Sequence, residues 1–157
     1  MKRFFSPLPV WQHNGLALIR IVTGGFLIYH GCEMFDTAAM NEYFKWDMFK
    51  DSSSAKIFVY GGKVAELLSG ILLVFGLLTR IACIILICTL GYIAFFVGQG
   101  KIWYEDQYPF LFVVIGFIFI FTGPGAFSLD NTIFKNKNDS YARYNTGKYQ
   151  YKGNRAA

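Results

Sequence analysis

His30, Glu33, Lys63 and Glu66 are the residues of this chain whose types and spacing can do chemistry. Lys63 and Glu66 are three apart, so on a helix they share a face and can pair. Glu66 lies inside the apolar stretch Ala65–Arg80, AELLSGILLVFGLLTR, with no other charge before Arg80. A carboxylate at membrane depth has a packing or a chemical reason. His30, Lys63, Glu66 and, further on, Glu105 can converge on one polar pocket, with Glu33 beside His30. Such a group suits a small polar molecule, a proton or a quinone headgroup. Lys63 would offer positive charge, and Glu66 or His30 would exchange protons. The alternative is a structural salt bridge that fixes helix register.

Other chemistries find little support. The three cysteines, Cys32, Cys83 and Cys88, form no C-x-x-C. Cys83 and Cys88 read as packing residues, and Cys32 is the thiol to test for reactivity. The two histidines form no H-x-x-x-H motif, so no metal site is expected. Gly24-Gly25 and Gly61-Gly62 permit close helix contact rather than phosphate binding.

The elements that position these residues follow from composition. Of 157 residues, 54% are hydrophobic and only 16% charged, which marks a membrane protein. Four apolar runs are candidate spans, at about 16–31, 60–78, 81–97 and 108–123. Lipid offers backbone groups no hydrogen-bond partner, so each run is expected to be a helix. The expected fold is an all-α, polytopic four-helix bundle spanning residues 1–130. Residues 131–157 read as a basic, disordered cytoplasmic tail. The first run is read as a retained helix, because Arg20 interrupts it and no cleavage site follows. Met40, Tyr43, Phe44, Met48 and Phe49 suggest an interfacial amphipathic helix between the first two spans. Only Leu78–Arg80 separates the second and third spans, which implies a tight hairpin.

Lys and Arg placement orients the bundle. With the N-terminus cytoplasmic, Lys2, Arg3, Arg80 and the basic tail lie inside, against Lys45, Lys50, Lys56 and Lys101 outside. Glu66 then lies roughly 9 Å below the outer boundary, at about 1.5 Å per residue. Arg20 lies roughly one turn in from the other side. It either snorkels to the headgroups or ties to Asp130 or to helix-end carbonyls. Arg80 reads as a topology anchor. The net charge of +5 collects at the chain ends, so no nucleic-acid partner is expected.

Three stretches resemble the DoxX family of small four-helix membrane proteins. They are LALIRIVTGGFLIYHGCEMF (16–35), AELLSGILLVFGLLTR (65–80) and FTGPGAFSLD (121–130). Glu33 departs from the pattern, since many relatives carry a basic residue shortly after the His-Gly. The resemblance implies a multi-pass protein of the bacterial inner membrane. It also implies a link to quinone-coupled or thiol-redox systems, with other membrane or redox subunits as partners. It does not imply a stand-alone enzyme.

Overall fold

The computed structural model describes residues 11–50, 52–103 and 107–133. Within them all regular structure is helical. Helix α1 (Gln12–Cys32) passes through a 3-10 turn (Glu33–Phe35) into the short α2 (Thr37–Phe44). Helix α3 (Ala55–Phe75) and helix α4 (Thr79–Tyr92) follow, and α4 ends in a π-helical turn (Ile93–Val97). Helices α5 (Gln107–Thr122) and α6 (Leu129–Ile133) complete the described chain. The stretches Gln12–Phe35, Ala55–Phe75 and Thr79–Val97 are long and apolar enough to cross a membrane, and α5 is shorter but apolar.

Buried positions follow helical periodicity. On α1 they are Ala17, Arg20, Thr23, Gly24, Leu27 and Gly31, and on α3 Ala55, Val59, Lys63, Glu66, Ser69, Gly70 and Leu73. These stripes face each other, and the backbones nearly touch. A Cβ added to Gly24 would lie 2.8 Å from the Gly70 carbonyl oxygen, and one added to Gly31 would lie 2.6 Å from the Leu67 backbone. Small residues thus let α1 lie against α3. Helix α4 packs between α3 and α5, and Leu73, Ala82, Leu86, Leu90, Val113 and Phe119 join Leu27 in the main core. Leu18, Ile19, Phe26, Phe117 and Phe121 point outward, the arrangement of helices in contact with lipid.

The apolar runs shift when folded. The second starts five residues earlier than expected, at Ala55, and stops at Phe75. Gly76, at φ +63, ends α3 because the Leu77 N–H bonds back to the Leu72 carbonyl at 2.9 Å. The connection is therefore Gly76–Leu78, and Arg80 is already inside α4.

The expected amphipathic helix is shorter than the pattern implied, covering Thr37–Phe44. Asp36 caps α2 by accepting from the N–H groups of Ala38 (2.8 Å) and Ala39 (3.4 Å). Met40 is buried with Phe49, Ala55 and Val59, in a second small core against α3. Past Phe44 the chain turns back on itself, so Met48 and Phe49 lie outside the helix.

At the opposite end of the bundle, the Gly-Pro-Gly loop after α5 folds over α1. Arg20 is fully buried. It donates from Nη1 to the Pro124 carbonyl and from Nη2 to the Phe127 carbonyl at 2.8 Å. Asp130 accepts from the N–H groups of Leu78 (2.7 Å) and Thr79 (2.8 Å), which caps α4. Arg20 and Asp130 thus pin the loop to α1 and to the α3–α4 turn, and the guanidinium does not snorkel.

A polar cluster at the end of an apolar cavity

The last turn of α1, the 3-10 turn, α2 and the N-terminal half of α3 each bring one or two polar groups to a single place. Lys63 is the hub. Its Nζ donates to Glu33 Oε2 at 2.8 Å, to the Tyr43 hydroxyl at 3.1 Å and to Glu66 Oε2 at 3.2 Å. Tyr43 in turn donates its hydroxyl proton to Glu33 Oε2. The second oxygen of Glu33, Oε1, meets His30 Nδ1 at 3.2 Å. Lys63 and Glu66 are 8% and 5% exposed, so this is ionic chemistry within the helix-helix seam and not on its rim. Burial first, and the neighbouring Glu33 carboxylate next, push the Tyr43 phenol above its ordinary value. It therefore remains a protonated donor.

Helical spacing explains part of the cluster. Lys63 and Glu66 occupy adjacent positions of the buried α3 stripe. His30 and Glu33 are also three apart, across the end of α1. The Gly31–Leu67 contact brings the two pairs together, since Gly31 lies between His30 and Glu33 and Leu67 follows Glu66. Glu105 lies outside the described residues. Tyr43 is the member that sequence reasoning missed. It sits in an aromatic run, and its hydroxyl becomes relevant only once α2 folds back on α3. Its position three residues after buried Met40 on one face of α2 is the only signal that marks it.

The cluster forms the polar wall of a cavity of about 550 Å³ between α1, α3, α4 and α5. His30, Tyr43, Lys63 and Glu66 supply the polar wall, and aromatic residues such as Trp46, Tyr92, Tyr108 and Phe112 much of the rest. An apolar chamber of this size with convergent polar groups at one end is the form of a small-molecule site. Of the cysteines, Cys32 is exposed, Cys83 is buried in the core, and Cys88 lines the cavity. No group of three or more metal-ligating side chains occurs among the described residues.

The pattern of the DoxX family matches residues 15–99, which is more than half of the chain. The chain belongs to the DoxX family. The match carries Arg20 and every member of the polar cluster, whereas α5 and the Gly-Pro-Gly loop lie beyond it. A protein of Haemophilus influenzae, described as uncharacterized, is 31% identical to this DoxX protein over 127 residues. That alignment covers 76% of this chain and 91% of the relative. No solved structure matches the chain.

The role of Tyr43 can be isolated. Tyr43→Phe deletes one donor to Glu33 and one acceptor from Lys63 while keeping the ring. The expected cost is about 1–2 kcal/mol of stability. Amide hydrogen exchange should show Thr37–Phe44 opening more readily than in the wild type. Unchanged protection of α2 would mean that its apolar contacts alone hold it.

Proposed function

We propose that this DoxX protein is a membrane-embedded binding protein for a small amphipathic molecule. The bundle has four spans, with α5 as the fourth, and both termini face the cytoplasm of a bacterium across its inner membrane. The observation that carries the reading is the cavity of about 550 Å³ whose polar wall is the Lys63–Glu66–His30 cluster. On this orientation the cluster lies in the outer half of the membrane.

The leading ligand class is a quinone-type headgroup, held for a quinone-linked or thiol-redox oxidoreductase partner. The family resemblance supports this, and so does a chamber with an apolar body and proton-exchanging groups at its end. The chain acts there as a binding or docking subunit and not as a stand-alone enzyme.

Purification in mild detergent, followed by mass spectrometry of proteins and small molecules, should recover an amphipathic ligand with the wild type. Binding of decylubiquinone should be lost in Glu66→Gln, with the thermal midpoint and the monodisperse elution profile retained. Full binding by a folded Glu66→Gln protein would reduce the cluster to a tie between helices.

A further inference from the structure

The charge that sequence reasoning assigned to ligand recognition is not free to recognise one. An ammonium has three N–H donors. All three of Lys63 are engaged, on Glu33, Tyr43 and Glu66. What remains toward the cavity is a set of acceptors. Glu66 takes Lys63 on Oε2 alone, and among the described residues no donor reaches its Oε1. His30 points Nδ1 at the Glu33 carboxylate, so Nε2 is the ring nitrogen left for another partner.

The formal charges agree with this. Two carboxylates, Glu33 and Glu66, face one ammonium, Lys63. Among the described residues, no other Lys or Arg lines the chamber. Arg20 is held by carbonyls at the opposite end of the bundle. Among the described residues, the remaining titratable groups that face the cavity are Tyr43 from α2, Cys88 and Tyr92 from α4 and Tyr108 from α5, none of them cationic. One negative charge therefore stays uncompensated at membrane depth unless a proton or a ligand neutralises it. Around it the chamber presents the rings of Trp46, Tyr92, Tyr108 and Phe112. Aromatic faces attract cations, more strongly where water is excluded.

We infer that the cavity selects a lipophilic cation, an amine or other onium group on an apolar body, and rejects anions of the same shape. The inference rests on the chamber being a ligand site, as proposed above, but not on the ligand being a quinone. The cation would lodge its charge at Glu66 Oε1 and its apolar groups among the rings. Where Glu66 carries a proton, the cation displaces it, so binding weakens as pH falls.

Tetraphenylphosphonium and tetraphenylborate test this, being nearly equal in shape and opposite in charge. Isothermal titration of the purified full chain in detergent should give saturable binding of tetraphenylphosphonium. Tetraphenylborate should be weaker by about tenfold or more. Glu66→Gln should lower the cation's affinity by a similar factor and erase the pH dependence attached to that residue. Equal binding of both ions, or preference for the borate, overturns the inference without any variant. So does a folded Glu66→Gln protein with unchanged cation affinity. If decylubiquinone binds in a Glu66-dependent way and the cation does not, the charge selectivity falls and the proposed function stands. If neither binds saturably, both fall.

Discussion

Gly31→Val is expected to separate α1 from α3 and to dismantle the polar cluster in the same step. A Cβ at position 31 would lie 2.6 Å from the Cα, Cβ and N of Leu67. These are backbone and near-backbone atoms of the facing helix, so no rotamer change relieves the clash. The helices must move apart, at a cost of about 3 kcal/mol or more. His30 and Glu33 flank Gly31, and Glu66 adjoins Leu67, so the separation stretches the contacts that join Glu33 to Lys63. The expected result is a lower yield of monodisperse protein, a lower thermal midpoint and loss of ligand binding. Gly25→Ala is the control. A Cβ there meets nothing within 4 Å, so the change should be neutral within about 0.5 kcal/mol. Equal damage from both changes would argue against the tight α1–α3 seam.

Arg20→Met should cost about 2–4 kcal/mol and free the Gly-Pro-Gly loop. The guanidinium is fully buried and holds the carbonyls of Pro124 and Phe127, which the substitution leaves without these donors. Arg20→Lys should recover only part of the loss, since a single ammonium replaces a planar fork that reaches two carbonyls at once. Chymotrypsin cleavage at Phe127 and detergent-induced unfolding would both report the change. The cavity lies at the other end of the bundle, so cation binding by the surviving folded fraction should be preserved. Loss of binding in that fraction would show that the two ends are coupled.

The apolar runs place the chain in a membrane as helices, because a lipid-facing backbone has no other way to satisfy its hydrogen bonds. The residues quoted for the DoxX resemblance lead to the same family that the comparison reports. Lys63 and Glu66 are close in any helix, since a spacing of three residues dictates it. The ends of the helices were less legible. Gly76 ends α3 through a left-handed residue and a backbone bond to Leu72, a local choice that hydrophobicity does not register.

What the chain determined by itself is therefore short-range or compositional: helices, membrane, family and the i,i+3 pairs. What only the tertiary structure decided involves groups distant along the chain. Gly24 and Gly25 are alike in sequence, yet one meets the carbonyl of Gly70 and the other meets nothing. Arg20 had two destinations open, and the loop more than a hundred residues later settled which it takes. Tyr43 joined the cluster because α2 turned back onto α3. The largest change concerns Lys63, whose positive charge looked available to a ligand. Whether a buried charge is free depends on how many acceptors surround it, and Glu33 and Tyr43, 30 and 20 residues away, were brought within reach only by the fold.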